Sequence, residues 1–185
     1  MRGILVALRD AVDRGLHPWR RNRARQRLRA TSPRSFLFVC LGNICRSPYA
    51  ERHLSLRSEG LLAAVSAGFI GPGRHPPENA ISVARSRGID HSDHVSQILT
   101  RDVVEAADVI FIFDRHNARR VRETTGVRGD RICWLGDFDP QWAGKRAIAD
   151  PWSKPVEEFE RTFERIERCI EEVVRCLEAG PDVPK

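Results

Sequence analysis

The sequence lacks the features of a membrane-spanning or secreted protein. No apolar run approaches the roughly 20 residues that a helix needs to cross a bilayer. Residues 4–8 are too short for the apolar core of a signal peptide, and Asp10 and Asp13 follow soon after them. The five cysteines are an odd number and follow no disulfide framework, which is typical of a reducing compartment. We therefore predict a cytoplasmic protein.

The sequence also contains no motif that predicts a nucleotide site or a metal site. The one loop suited to phosphate, described below, lacks the Gly-Lys-Ser or Gly-Lys-Thr ending of a nucleotide-binding loop, which argues against an NTPase. His91 and His94 lie close in sequence, but no set of cysteines or carboxylates completes a zinc site with them. We expect no metal and no other cofactor.

Positive charge is concentrated near the N-terminus. Residues 1–35 hold ten Arg and no Lys against Asp10 and Asp13, a net charge of +8, whereas the rest of the chain carries 21 basic and 23 acidic side chains. The sequence pI of about 9.5 therefore reflects this short extension. Total charge gives no reason to expect a nucleic-acid partner.

Residues 1–35 are predicted to be a basic extension, either helical or disordered. Four apolar side chains recur at every fourth position, as in an amphipathic helix: Ile4, Leu8, Val12 and Leu16. An Arg-dense segment, residues 20–29, follows, and residues 31–35 are predicted to be a linker. Three arrangements remain open: a helix on an anionic membrane surface, a helix docked on the domain or on a partner, and a mobile basic tail.

The remainder of the chain has the pattern of one α/β domain. Continuous apolar runs at residues 36–39 and 109–113 predict strands buried on both faces, and residues 64–68 and 132–135 predict two shorter strands. Residues 49–59, 78–87 and 155–179 predict helices, the last with a solvated, Glu-rich outer face. Alternating strands and helices predict a sandwich around a parallel sheet. The domain is placed at residues 36–180, with a tail at 181–185.

Residues 36–48, FLFVCLGNICRSP, hold the strongest functional signal. Cys40 ends the buried strand, and Pro48 suits the first turn of a helix, where no backbone donor is needed. The N–H groups of the loop and of the helix N-terminus together form an anion site. Arg46 can hold two oxygens of a phosphate-like dianion. The same field stabilises a thiolate at Cys40, which is placed to attack a bound phosphoryl group.

Other residues of this loop also have predicted roles. Gly42 allows the backbone to approach closely, and Asn43 tolerates a left-handed conformation and can tie the loop together. Ser47 can donate a hydrogen bond to the thiolate when sulfur is the leaving group. The phosphate-binding residues are therefore predicted to be Leu41, Gly42, Asn43, Ile44, Cys45 and Ser47.

Attack on a phosphate monoester also requires a proton for the departing oxygen. Asp150 is a candidate for this general acid, because Pro151 stiffens its loop and Trp152 offers a flat wall for an aromatic substrate. Asp137 and Asp139 are alternatives that residue chemistry alone leaves open.

Residues 40–48 resemble the signature of the low-molecular-weight protein tyrosine phosphatases, and the resemblance extends over about residues 36–179. It implies a phosphatase I-like three-layer fold with a small, about four-stranded parallel sheet. It also implies hydrolysis of phosphotyrosine in proteins through a phosphocysteine, with inhibition by phosphate and vanadate-like oxyanions. Cys40 would be the nucleophile, Arg46 the phosphate ligand and Asp150 the general acid and base.

The resemblance implies roles for further residues. Ser66 and His94 match residues that brace the signature asparagine, and Asp114 matches the aspartate that steadies the signature arginine. Trp152 stands where the family usually has tyrosine. Phe69, in a short Gly/Pro-rich loop of residues 69–74, is a candidate for the aromatic residue that sets specificity.

The resemblance leaves several questions open. Cys45 is either a partner for a reversible disulfide with Cys40, as in the family, or a space-filling thiol. Thiol-dependent arsenate reductases share the fold and use a later cysteine pair, which Cys169 and Cys176 mimic in spacing. On one helix, however, these two are about 10 Å apart along the axis, too far for a disulfide.

A non-catalytic phosphoprotein-binding module is a further alternative, although binding alone needs neither a thiolate nor an acid. Bacterial members of the family often oppose tyrosine kinases of polysaccharide export, so such a kinase is a candidate partner.

Overall fold

The computed structural model describes residues 2–127, 129–141 and 143–180, with side chains from residue 11 onward. The predicted tail at 181–185 lies outside this part of the chain. The helices and strands follow one another in the order α1 (Arg2–Thr31), β1 (Ser35–Val39), α2 (Arg46–Arg57), β2 (Ala63–Ala67), α3 (Glu78–Ser86), α4 (Arg101–Glu105), β3 (Val109–Ile112), α5 (Arg115–Thr125), β4 (Ile132–Trp134) and α6 (Val156–Glu178). Short 3₁₀ turns span Gly129–Arg131 and Leu135–Phe138.

The four strands form one parallel sheet in the order β2-β1-β3-β4. The central strand β1 pairs with β2 and β3, with Phe36 opposite Ala64 on one side and Val109 on the other. Residues 36–39 are almost fully buried, which confirms the strand predicted from their apolar run. Since parallel strands end at the same edge, the loops that follow β1, β2 and β3 meet there.

Helices cover both faces of the sheet, so the predicted three-layer α/β fold is confirmed. Phe36 and Phe38 point into a core shared with α2, α3 and α6, and the end of α1 joins this core through Leu28. Leu37 and Val39 point to the other face, where α4 and α5 cover them. This alternation follows from the two-residue period of a strand.

The last helix, α6, buries its predicted apolar face, but its outer face is not fully solvated. Glu172 is only 2% exposed. Its carboxylate contacts Arg21 and Arg25 of α1, each at 3.0 Å, and Arg175 of its own helix. The expectation of a solvated Glu-rich face is therefore wrong at this position, because α1 covers it.

The N-terminal helix α1 docks on the domain from residue 17 onward. His17 is buried, and its Nε2 lies 3.1 Å from the carbonyl oxygen of Asp139. Val12 and Trp19 are exposed to solvent by 59% and 58%, although Trp19 also lines a cavity between α1 and the domain. The side chains of Ile4 and Leu8, which belong to the predicted stripe, lie outside the described residues. No helix in the described ranges has the length and apolar character needed to cross a bilayer.

Candidate active site

The loop between β1 and α2 folds around the sulfur of Cys40. Cys40 is 3% exposed, and its Sγ accepts a hydrogen bond from the Asn43 N–H at 3.3 Å. The Oγ of Ser47 lies 3.0 Å from the same sulfur. When the sulfur is a thiolate, the Ser47 hydroxyl must be the donor. The sulfur therefore sits at the floor of the loop with two donors directed at it.

Asn43 holds the loop in shape. Its backbone is left-handed, with φ of 51°. Its side-chain N–H groups donate to Ser47 Oγ at 2.9 Å and to Ser66 Oγ at 2.8 Å, and its Oδ1 accepts from the Gln97 N–H at 2.9 Å. His94 Nε2 donates to the Asn43 carbonyl at 2.8 Å. The structure thus brings Ser66 and His94 to this asparagine, together with Gln97, which no sequence signal indicated.

The end of β2 approaches the loop closely. A Cβ on Gly68 would lie 2.8 Å from the Asn43 backbone nitrogen, so any larger residue would push the loop out of position. The Ser66 hydroxyl donates in turn to a carboxylate oxygen of Glu51 at 2.5 Å. Burial of Glu51 raises the pKa of its carboxyl group. The loop is therefore supported from below by both backbone and side chains.

Arg46 lies beneath the loop and is 1% exposed. Its Nη1 donates to Asp114 at 2.9 Å and to the Ile148 carbonyl at 3.1 Å, and its Nη2 contacts Asp150 at 2.5 Å. Burial acts to lower the pKa of Arg46, but the charges of Cys40, Asp150 and Asp114 outweigh burial and raise it. The guanidinium is therefore positively charged and fixed in place. Asp114 is itself held as the N-cap of α5.

Of the three carboxylates considered for the general acid, Asp150 is the one that lines the site. Its side chain is 39% exposed, at the mouth of the cavity, and its Oδ1 accepts from the Trp152 N–H at 3.3 Å. Asp139 is fully buried and bonded to Arg165 at 2.8 Å, and Asp137 is paired with Arg146. Both alternatives are engaged in ion pairs, and neither lines the cavity.

A cavity of about 180 Å³ opens above Cys40. Apolar side chains form much of its wall, and Trp152, at 56% exposure, stands at its rim. Its lining consists of Cys40, Leu41, Gly42, Ile44, Cys45, Ile70, Arg74, Asp150 and Trp152. Phe69 is absent from this set, and it packs against the core beneath Arg120. Phe69 is thus not part of the cavity wall, where Ile70 and Arg74 lie instead, and its role in specificity stays a prediction.

The remaining cysteines are reduced and buried. Burial raises the pKa of the Cys45 thiol well above its ordinary range, and the nearby negative charges of Cys40 and Asp150 act in the same direction. Cys169 and Cys176 are fully buried within α6, which gives no support to a mobile redox pair. Within residues 2–127, 129–141 and 143–180, no cluster of His, Cys, Asp or Glu is arranged to hold a metal.

Comparison with known proteins matches the whole domain. A family model described as low molecular weight phosphotyrosine protein phosphatase covers residues 35–180. The probable low molecular weight protein-tyrosine-phosphatase AmsI of Erwinia amylovora is 34% identical over 137 residues, which is 70% of this chain and 87% of AmsI. Low molecular weight protein-tyrosine phosphatase A of Mycobacterium tuberculosis is 35% identical over 142 residues, 72% of this chain and 85% of that protein.

Solved structures show the same likeness. The crystal structure of AmsI superposes with a TM-score of 0.71 at 30% identity, covering 77% of this chain and 92% of AmsI. The YwlE arginine phosphatase of Geobacillus stearothermophilus also gives a TM-score of 0.71, at 27% identity, covering 80% of this chain and 94% of YwlE.

Proposed function

This chain belongs to the low molecular weight phosphotyrosine protein phosphatase family and is a protein-tyrosine phosphatase; we propose that it works through a phosphocysteine on Cys40. The observation that carries this mechanism is the position of the Cys40 sulfur. It lies at the floor of an anion-binding loop, within 3.3 Å of two donors. Asp150 lines the same cavity.

In the first step, the Cys40 thiolate attacks phosphorus. The S–P bond forms as the bond from phosphorus to the tyrosyl oxygen breaks, and Asp150 gives a proton to that oxygen. Arg46 and the loop N–H groups hold the remaining phosphate oxygens. Their fixed positions stabilise the charge that develops in the transition state.

In the second step, water attacks the phosphocysteine. Asp150 now accepts a proton from that water, and the S–P bond breaks to release phosphate and the thiolate. The Ser47 hydroxyl, 3.0 Å from Sγ, donates to the departing sulfur. No cofactor takes part in either step of this proposal, and phosphate or vanadate would inhibit by occupying the loop.

The cavity favours an aryl phosphate over a phosphoarginine. Ile44, Ile70 and Trp152 form an apolar wall, which suits a phenyl ring. The guanidinium of Arg74 lies in the same wall and would repel the guanidinium of a phosphoarginine. Although the fold also matches an arginine phosphatase, these contacts favour phosphotyrosine. Fully buried Cys169 and Cys176 give the arsenate reductase alternative no resolving thiols.

We infer that the substrate is a phosphotyrosine protein, and a tyrosine kinase of polysaccharide export remains our specific proposal for it. A full-length Cys40→Ser variant should hold such an autophosphorylated kinase in a complex that vanadate disrupts. Failure to retain the phosphorylated kinase, or equal retention of its unphosphorylated form, would remove this partner.

We further propose that the protein acts at an anionic membrane surface through α1. Val12, Leu16 and Trp19 are exposed by 59%, 39% and 58%. Trp19 also lines an arginine-rich cavity of about 220 Å³ together with Arg20, Arg23, Arg27, Trp134, Asp137 and Arg146, in which Asp137 pairs with Arg146. Among the described residues, no carboxylate pairs with Arg23 or Arg27. Apolar side chains flanked by arginines suit a helix lying in the headgroup region of an anionic bilayer.

Vesicle flotation of the full chain tests this surface. Binding should occur with vesicles containing phosphatidylglycerol and not with pure phosphatidylcholine, and V12S/L16S/W19S should abolish it. Leu61→Ser, which changes another exposed leucine, is the matched control. Equal binding to both kinds of vesicle, or binding unaffected by the triple change, would refute the membrane role.

The catalytic proposal is tested with p-nitrophenyl phosphate and a phosphotyrosine peptide in the presence of EDTA. Wild type should turn over both, and Cys40→Ser should lose turnover but still bind vanadate. Full activity of Cys40→Ser would refute the mechanism. Turnover of phosphoarginine but not phosphotyrosine would reassign the substrate.

A further inference from the structure

Arg74 is a second cation in the catalytic cavity, and nothing in the mechanism uses it. Arg46 lies beneath the phosphate loop, whereas Arg74 comes from the loop between β2 and α3 and lines the wall. Its Nη1 would lie 3.2 Å from a Cβ placed on Gly42. The guanidinium is therefore packed directly against the phosphate-binding loop.

This guanidinium has an unused donor. The Nη1 atom of Arg74 is buried from solvent and has no hydrogen-bond partner among the described residues. Asp150 is the carboxylate in the cavity lining, and it pairs with Arg46. A buried cationic donor without an acceptor is costly, so a ligand that supplies a carboxylate oxygen there gains a charge-assisted hydrogen bond.

The backbone of Arg74 is anchored, so the side chain projects from a fixed base. The Arg74 N–H donates to Ser96 Oγ at 3.0 Å, and the Ser96 N–H donates to the Arg74 carbonyl at 2.8 Å. The next residue, His75, makes a hydrogen bond through its Nδ1 to the backbone carbonyl of His94. The Nε2 of His94 in turn donates to the Asn43 carbonyl. The position of Arg74 is thus tied to the same network that shapes the phosphate loop.

We propose that Arg74 is a specificity-determining residue that selects substrates with a carboxylate side chain next to the phosphotyrosine. This inference rests on the phosphotyrosine phosphatase activity proposed above. The phosphate itself is held by Arg46 and the loop amides, and the ring lies against the apolar wall. The carboxylate of a neighbouring Asp or Glu then pairs with the planar fork of Arg74.

The test compares the full-length wild type with Arg74→Gln, Arg74→Lys and Arg74→Glu. The substrates are phosphotyrosine peptides that differ only in having Glu, Gln or Lys immediately before or immediately after the phosphotyrosine. The measured quantity is the ratio of kcat/KM between the Glu and Gln peptides for each enzyme. This ratio is independent of any general loss of activity or folded fraction.

We expect wild type to favour the Glu peptide by about tenfold, the lower end of the effect of one charge-assisted hydrogen bond. Arg74→Gln should bring the ratio to about one, Arg74→Lys should keep part of the preference, and Arg74→Glu should favour the Lys peptide. Arg101→Gln, which changes an exposed arginine of α4, should leave the ratio as in wild type.

Two results would overturn the proposal. They are equal rates on Glu and Gln peptides by wild type, and a Glu/Gln ratio in Arg74→Gln that is unchanged from wild type. If both peptides also lost activity equally, Arg74 would be assigned to the phosphate. These failures leave Cys40-dependent hydrolysis of p-nitrophenyl phosphate intact. Absence of that hydrolysis in wild type would instead refute the phosphatase mechanism, and this proposal with it.

Discussion

Arg46 and Asp150 are in direct contact, with 2.5 Å between Nη2 and Oδ2. The arginine is 1% exposed and the aspartate side chain 39% exposed, so the pair joins the buried floor of the site to its mouth. A phosphate dianion that enters the loop competes for the same Arg46 N–H group. We infer that phosphate binding releases Asp150 toward the bridging oxygen, which couples substrate binding to placement of the acid.

Replacing Asp150 by Asn should slow the departure of poor leaving groups most. The amide keeps the shape of the side chain but cannot give a proton, so phenyl phosphate should lose about 100- to 1000-fold in kcat/KM. The loss with p-nitrophenyl phosphate should be smaller, because its leaving group needs less help. Steady-state kinetics on substituted phenyl phosphates measures this, and equal losses across the series would assign the acid elsewhere.

Replacing Ser47 by Ala should affect the second chemical step. The hydroxyl is 3.0 Å from the Cys40 sulfur, and its removal leaves the departing thiolate with one fewer donor. Breakdown of the phosphocysteine should slow by about 100-fold, so a pre-steady-state burst of p-nitrophenol should appear. A mutant that slows burst and steady state together would show that Ser47 acts mainly on loop structure.

His91 should destabilise the fold in mild acid. Both of its ring nitrogens lack a partner among the described residues, and it packs edge-on against Tyr49 and Phe163. Burial, with the nearby charges of His94 and Arg52, lowers the pKa of His91 to about 4 from 6.5. Above the unfolded pKa the imidazole is neutral in both states. Between 6.5 and about 4 only the unfolded chain binds the proton, so stability falls as pH falls.

This effect should amount to about 2 kcal/mol between about pH 7.5 and about pH 5. Urea unfolding at the two pH values measures it, and His91→Leu should flatten the pH dependence by that amount. His116→Leu, at an exposed position, is the control and should keep the wild-type slope. The other titrating groups are common to all three proteins. An unchanged slope in His91→Leu would contradict the prediction.

Glu172 should control the docking of α1. Its carboxylate holds Arg21 and Arg25, and Glu172→Gln removes both charge pairs while conserving shape. The docked helix should lose about 1–2 kcal/mol of stability relative to its undocked form. Trypsin should then cut within residues 20–29 faster than in wild type. Glu158→Gln on the outer face of α6 is the control, and identical cutting rates for both variants would argue against this role.

The parts of the fold that could be predicted are those in which a short stretch of sequence indicates that its residues are buried. The apolar run at residues 36–39 is typical of a strand buried on both faces in the centre of a sheet, and residues 40–48 place their chemistry within a single loop. The identity of the general acid was less certain from the sequence. Asp137, Asp139 and Asp150 look alike in sequence, and their distinction comes from partners such as Arg146 and Arg165, which the chain order does not reveal.

The features that were missed depend on contacts between distant segments. α5 has few apolar residues, and its signals were a cap at Asp114 and a left-handed Gly126. The solvated face expected for α6 fails at Glu172 because arginines about 150 residues earlier cover it. In α1 the described members of the regular apolar spacing, Val12 and Leu16, are exposed, whereas His17 and Leu28 are buried. No sequence motif marks Arg74, because its proposed role depends on its position in the cavity wall against the phosphate-binding loop.

The most direct measurement is to trap the proposed intermediate. Wild type and Asp150→Asn are mixed with p-nitrophenyl [³²P]phosphate, quenched in denaturant within the first turnover, digested and mapped. The label should appear on the peptide that contains Cys40, should accumulate further in Asp150→Asn because hydrolysis lacks its base, and should be absent from Cys40→Ser. Turnover without any label on Cys40, or label on another residue, would contradict a mechanism through phosphocysteine.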